Sequence, residues 1–454
     1  MILILLSFKE CFPCDQPGHI CDPDTGRCIC PPLTQGPACQ SCQPGTWSYD
    51  NYKGCKYCDC HRKGSVSEQC DLNTGQCPCV EGYEGNQCNK CSPGHYKFPH
   101  CWPCNCDLRG TNHSSCNVKD QNGKCSCDDQ SGACLCKSLV EGKKCGSCRP
   151  GTFGLSAAND DGCITCFCFG RTNLCRQADR VWSRLSSMDT RRKLRITRGQ
   201  TTMEVSQGLL LIPNDQGDVV IGVERLFTTP LYWSMPTAFL GEKVTSYNGY
   251  FRFSTSSNGK VPPASSMLHP LIQLQAADQE IILEHYPAKL SSSGRYEVHL
   301  EESQWVKHGS RLPVSRALLM VALQRLERVM IRATDFTGAT IANLHGVTLD
   351  VAVERNEAND NRPVAIGVEK CTCPPQYNGT SCQDPGRGFY RWYSEFMTTT
   401  TTYLHLAGDV KSCQCNGRAQ NCHPETGRCI GCSQNTTGSA CELCAAGYYG
   451  NPLL

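Results

Sequence analysis

The cysteines of this chain are grouped, and the grouping limits what it can fold into. Of 39 cysteines, 29 fall in residues 1–175 and ten in residues 371–454, with none from 176 to 370. A reducing compartment would need metal or redox chemistry for nearly all of these thiols. An oxidising one pairs them into staples for segments too short to bury a core. The sequence therefore implies a secreted chain in which two cysteine-rich parts flank a block of 195 residues that is long enough for a hydrophobic core of its own.

Aligning the cysteines reveals a repeat of about 45 residues, clearest at Cys58, Cys60, Cys70, Cys77, Cys79, Cys88, Cys91 and Cys101. Gly, Asn, Asp and Pro between them, as in DLNTGQ and VEGYEGNQ, mark turns and not long helices or strands. One unit precedes it from Cys11 to Cys55, and one with an extra cysteine pair follows from Cys104 to Cys163. A fourth starts at Cys166, Cys168 and Cys175, stops, and resumes after the cysteine-free block at Cys371, Cys373 and Cys382. A fifth runs from Cys413 to Cys444. Eight cysteines allow about a hundred connectivities, so spacing alone leaves the pairing open.

The motifs TGRC, TGQCPC, CQSCQPGTW, CNKCSPGHY and NTTGSACELCAAGYYGNP resemble the laminin-type EGF-like module. The stretch PLYWSMPTAFLGEKVTSYNGYFRFS resembles laminin domain IV of laminin alpha chains and perlecan, and so does its insertion inside a module. The ten-cysteine unit, with CSCDDQSGACLC, favours an alpha chain short arm, with perlecan second. The resemblance implies modules at 11–57, 58–103 and 104–165, a split module at 166–175 and 371–412, domain IV at 176–370, and a truncated module at 413–454.

In that module type the first cysteine pairs with the third, second with fourth, fifth with sixth, and seventh with eighth. The implied staples are Cys11–Cys21, Cys14–Cys28, Cys30–Cys39 and Cys42–Cys55, then Cys58–Cys70, Cys60–Cys77, Cys79–Cys88 and Cys91–Cys101. In the third unit they are Cys104–Cys116, Cys106–Cys125, Cys127–Cys134, Cys136–Cys145 and Cys148–Cys163. The split unit gives Cys166–Cys175, Cys373–Cys382 and Cys168–Cys371 across the insert, and the last gives Cys413–Cys422, Cys415–Cys429 and Cys432–Cys441. Cys444 is left over. Here the sequence departs from the pattern, because Pro385 stands at the seventh position of the split unit and Asp409-Val410 near the eighth. Gly386 to Asp409 is thus expected to be the least constrained part of the rod.

Without the family, the block 176–370 still reads as mostly β. Runs at Tyr250 to Ser254, Glu280 to Leu283 and Thr348 to Val353 lie between Gly, Pro, Asn and Ser clusters. Ser315 to Leu326 has Ala317, Leu318, Val321 and Leu326 at helical spacing behind a serine N-cap. The expected fold class is small disulfide-rich EGF-like modules in tandem, plus an inserted β-sandwich of jelly-roll type with one short helix.

Net charge is +2 on 44 basic and 42 acidic residues, which gives no field for nucleic acid. The opening run MILILLSF lacks a basic leader region and a small-residue cleavage site, so the native start is expected upstream. No segment approaches the length of a membrane span. The CxxC pairs sit at fixed places in the repeat and read as staples, not zinc knuckles, and no cofactor is implied. GxSxG, HExxH, Walker A and EF-hand motifs are absent. His285, His299 and His308 read as structural, and no enzyme is expected.

Sequons at Asn112, Asn378 and Asn435 are glycosylation candidates. A basic stretch including Arg191, Arg192, Lys193 and Arg195 is a candidate heparan sulfate contact. Leu349-Asp350-Val351 resembles an integrin motif, but its alternation with apolar neighbours places it in a buried strand. The expected function is structural: a semi-rigid rod of stapled modules carrying a globular domain in basement membrane, supporting matrix assembly and cell adhesion. Its partners would be other laminin subunits and matrix proteins. The alternative is a glycosaminoglycan- or receptor-binding module of a perlecan-like proteoglycan.

Overall fold

The structure is a computed structural model and describes residues 20–116, 124–186, 194–198, 209–213, 219–223, 230–257, 268–288, 291, 293–333, 341–355, 361–393 and 403–453. Cys11, Cys14, Arg191, Arg192, Lys193 and the threonine run 398–402 lie outside them. Two compact units emerge. One comprises residues 1–149 and 155–163, the other 150–154 and 164–454.

The modules contain almost no regular structure. Two-residue antiparallel ladders such as Thr34–Gln35 with Ser41–Cys42 and Tyr83–Glu84 with Lys90–Cys91 recur through them. Their small cores are largely sulfur, for example Cys58, Cys70, Cys77 and Cys88, with Trp47 and Tyr83 packed alongside. So little apolar area cannot hold a chain of this length, and cross-links supply the rest.

A joint recurs between successive modules. The third-to-fourth cysteine loop is a tight turn closed by an aspartate in the second module, where Asp71 accepts the N–H groups of Asn73 and Thr74 at 3.0 and 2.8 Å. Gly75 ends that turn with φ +71°, and the Trp47 ring of the preceding module covers it. Tyr96 covers Gly132 in the same way, and Tyr390 covers Gly427. Each joint also carries one backbone hydrogen bond: Ser48 N–H to Leu72 at 3.0 Å, Lys97 N–H to Asp129 at 2.8 Å, and Arg391 N–H to Pro424 at 2.7 Å.

The inserted block is a β-sandwich. Its strands are β1 (Arg180–Ser186), β2 (Arg195–Arg198), β3 (Leu209–Pro213), β4 (Val219–Val223), β5 (Leu231–Ser234), β6 (Tyr250–Ser257), β7 (Ile272–Ala276), β8 (Ile281–His285), β9 (Arg295–His299), β10 (Val306–Lys307), β11 (Leu326–Arg332) and β12 (Ile341–Glu354), with α1 at Arg316–Gln324. One sheet runs β3-β4-β12-β6-β9, with β1 also paired to β12; the other runs β2-β5-β11-β7-β8-β10. Alternation decides the faces. In β7, Ile272, Leu274 and Ala276 join the core that contains Trp233, Phe251, Leu283 and Leu344.

Helix α1 begins where expected, with the Ser315 hydroxyl accepting the Leu318 N–H at 3.3 Å. It ends sooner than its periodicity suggests, and Leu326 opens β11. Leu318 to Gln324 are all buried, because the sheet covers one side and Tyr403–Ala407 of the split module packs on the other. The module therefore completes the core of the domain it carries.

Candidate interaction site at the root of the inserted domain

The insert leaves and rejoins the module through a short ladder, Cys175–Gln177 against Glu369–Cys371. Beside it Cys168 is bonded to Cys371, with Cα atoms 5.9 Å apart across 203 residues of sequence. Cys166–Cys175 and Cys373–Cys382 complete the frame. Glu369 is buried and accepts the N–H groups of Phe167 and Cys168 at 2.7 and 2.9 Å. Arg316 lies 3.5 Å from it and over the rings of Tyr247, Phe167 and Phe153 at 4.8, 5.9 and 6.0 Å. Phe153 holds the place that Trp47 and Tyr96 hold in earlier modules. The turn it would cover is interrupted by the insert, and Arg316 of the domain takes that role. Cys168, Glu369 and Cys371 have donor atoms close enough for a metal, but the two sulfurs are bonded to each other and offer no thiolate.

The second half of the split module lacks one staple, with Pro385 and Val410 at the two positions. Arg391 fills the gap. Its side chain is 7% exposed and donates to the carbonyls of Ala407 at 2.7 Å and Gln383 at 3.1 Å, and to both Glu425 oxygens at 3.1 Å. It thus ties the 383–385 ladder, the 403–407 turn and the next module together. Trp392 stacks under Lys411 at 3.4 Å. The described ends of Gly386 to Asp409 are therefore held by hydrogen bonds where the disulfide is missing, while residues 394–402, on which the expectation of least constraint chiefly falls, lie outside the described residues.

Other pairs in the structure are Cys30–Cys39, Cys42–Cys55, the four of the second module, Cys136–Cys145, Cys148–Cys163, Cys413–Cys422, Cys415–Cys429 and Cys432–Cys441. Cys444 is free. Cys21 and Cys28 are disulfide-bonded, while the expected partners Cys11 and Cys14 lie outside the described residues. The third module corrects the sequence reading. Cys104 pairs with Cys127, Cys106 with Cys134, and Cys116 with Cys125, not Cys104–Cys116, Cys106–Cys125 and Cys127–Cys134. The extra pair closes a side loop inside the first loop, and the remaining eight keep the common order. The signal was present in the sequence: Asp128 to Gly132 forms the aspartate turn, which marks Cys127 and Cys134 as third and fourth.

Asn112, Asn378 and Asn435 are all exposed. Asn112 accepts the Ser114 N–H at 3.0 Å, whereas Thr380 of the Asn378 sequon is buried. Arg195 is an exposed residue of β2. Asp350 of the Leu-Asp-Val tripeptide is buried in β12, with Arg252 donating to both its oxygens at 2.8 and 2.7 Å. The histidines are held separately or by structural partners: His285 by the Gln304 carbonyl at 2.8 Å, His299 by the Asn248 carbonyl at 3.1 Å and His308 by Glu284 at 2.8 Å. Burial pulls His285 down from its ordinary range.

The laminin EGF domain family matches residues 10–55, 58–103 and 104–163, the laminin/attractin EGF domain family residues 413–454, and laminin B (domain IV) residues 232–369. Human laminin subunit alpha-3 is 35% identical over 98% of this chain and 14% of its own length. The mouse basement membrane-specific heparan sulfate proteoglycan core protein is 33% identical over 69% of this chain and 8% of its own. The chain thus spans only a small part of these relatives. Among solved structures, the L4b domain of human laminin alpha-2 matches with 17% identity and a TM-score of 0.32, over 38% of this chain and 98% of that one. The chain belongs to the family built of laminin EGF modules and laminin domain IV, to which the laminin alpha chains and the basement-membrane proteoglycan also belong.

Proposed function

We propose that this segment serves a secreted basement-membrane glycoprotein as a stapled spacer that carries domain IV, supporting matrix assembly and cell adhesion, and that it catalyses no reaction. The observation that carries the reading is the Cys168–Cys371 bond at the root of the insert. It makes the domain an outgrowth of a continuous module chain and not a link within it. The relatives are matrix proteins named for basement membrane or laminin. The proposed domains are those set out from the sequence, with other laminin subunits and matrix proteins as partners of the full-length chain. The three exposed sequons carry its glycans.

Thiol titration of the denatured, unreduced chain tests this reading. One free thiol is expected, at Cys444; a chain with most of its 39 thiols reduced would sink it. Heparan sulfate enters as a ligand of the stretch containing Arg191, Arg192, Lys193 and Arg195, through guanidinium–sulfate pairing. Retention on heparin at physiological salt supports that contact, and elution in the flow-through removes it.

A further inference from the structure

Domain IV and the second half of the split module leave a cleft of about 720 Å3 between them, a volume that holds a small ligand or a few side chains (~300–1,000 Å3). The domain supplies Glu242, the β7–β8 turn at Ala277, Asp278 and Glu280, and the end of α1. Asp384, Tyr393 and Leu406 form the opposite wall, and Glu425 of the next module lines it as well.

The charge in this cleft is unbalanced. Five carboxylates (Glu242, Asp278, Glu280, Asp384 and Glu425) face two guanidinium groups, a surplus of three, with His405 as the remaining titratable imidazole. Both guanidinium groups are already engaged. Arg391 is held by Glu425, by backbone carbonyls and more loosely by Asp384 at 3.5 Å, and Arg325 donates to Asp278 at 2.9 Å, to Glu327 at 3.2 Å and to the Tyr393 hydroxyl at 3.2 Å. Burial pushes the Glu242 and Asp384 carboxyls up, and the Asp384 charge pushes Glu242 further. Arg391 offsets part of this at Asp384, 3.5 Å away, and Glu242 accepts the Val244 N–H at 3.0 Å.

The shape selects among cations. Among the described residues the one group of acidic, histidine and cysteine donors close enough for a metal ion is the bonded set at Cys168, Glu369 and Cys371. The cleft carboxylates are spread along its length, and Val321 and Leu406 give it an apolar floor. That combination suits a long side chain with an aliphatic stem and a charged head. Its sign rejects sulfated glycans. The rim turn holds Ala277, Asp278 and Gln279 at φ 53°, 53° and 72°, a costly left-handed run for residues with side chains, fixed by the Asp278 N–H donating to Glu327 at 2.8 Å.

We propose that this cleft docks a basic segment of a partner protein, seating an arginine or lysine side chain with its stem on Val321 and Leu406 and its head between Glu242 and Asp384. The inference stands apart from the spacer function, which the thiol count tests by itself.

The test titrates the full chain with the blocked peptide acetyl-Gly-Arg-Gly-Arg-Gly-amide and with its citrulline counterpart, followed by saturation-transfer NMR. Saturable binding of the arginine peptide is expected, at least tenfold stronger than the citrulline peptide. The double variant Glu242→Gln, Asp384→Asn, and separately the exposed rim change Glu280→Lys, should each weaken it at least tenfold. An Asp22→Asn control in the first module should not. Equal binding of the two peptides, or full binding by both cleft variants, overturns the proposal. Displacement of the peptide by calcium chloride far beyond that by sodium chloride of equal ionic strength also overturns it, by assigning the cleft to a metal ion.

Discussion

The Trp47 indole lies flat against Gly75 of the following module, and the backbone beside it is tied by the Ser48 N–H donating to Leu72 at 3.0 Å. The aromatic residue and the glycine are 28 positions apart in sequence, yet each has meaning only in the presence of the other. A side chain at Gly75 would occupy the space of the ring, and its φ of +71° disfavours any residue but glycine. Gly75→Ala is expected to cost ~1–3 kcal/mol by overpacking and strain. Trp47 emission should shift to longer wavelength as the ring is lifted into water. Unchanged emission and an unchanged thermal midpoint would contradict the joint.

Arg391 should behave as the substitute for a disulfide. Arg391→Met leaves Glu425 and the carbonyls of Ala407 and Gln383 without their donor, at ~1–3 kcal/mol once the half-exposed partners are discounted. Pro385→Cys with Val410→Cys restores the seventh and eighth positions. This pair is expected to oxidise, so that the free-thiol count stays at one, and to recover most of the loss in the Arg391→Met background. Three free thiols in the double variant would show that the two positions do not face each other.

How far the sequence anticipated this region depends on whether the information is local. Cysteine spacing repeats within about 45 residues, so the split module was legible from Cys168 and Cys371, and the resemblance to the laminin-type module implied the staple between them. In the third module an extra pair, Cys116–Cys125, interrupts an otherwise regular count, and the Asp128 turn marks Cys127 as the third cysteine of the common order. Arg391 left no signal. An arginine beside Trp392 looks like surface, and its partners at Glu425 and Ala407 come together only after folding. The same holds for the cleft, whose walls come from at least six separate stretches of chain between Glu242 and Glu425, and for Leu326, whose helical spacing yields to pairing with β7.

Stability should depend on pH through the cleft. Burial raises the carboxyls of Glu242 and Asp384, so each takes up a proton on folding. Their contribution is complete below the unfolded-state values, near pH 4, and is lost as the pH rises through the folded-state values. The variant carrying Glu242→Gln and Asp384→Asn should melt higher than the parent at pH 7, with the gap closing toward pH 4. Calorimetric scans across that range measure it; a gap that widens in acid would reverse the assignment.

Thr380 separates glycan from fold. Its hydroxyl is buried with no hydrogen-bond partner among the described residues, so Thr380→Val should keep or slightly raise stability, by ~0–1 kcal/mol. The same change destroys the Asn378 sequon. Secreted protein should lose the mass of one N-glycan while its thermal midpoint holds. A marked fall in the midpoint of enzymatically deglycosylated samples would show that the hydroxyl has a partner after all.

The bond between Cys168 and Cys371 also determines how tension travels. A pull on the two ends of the chain passes from one sulfur to the other and never enters the 203-residue excursion between them. Domain IV is thus mechanically bypassed, free to keep its shape and its surface while the tissue around it is stretched. Reduction of that one bond would put the domain in series with the load. On unravelling it would release roughly 700 Å of slack at ~3.4 Å per residue.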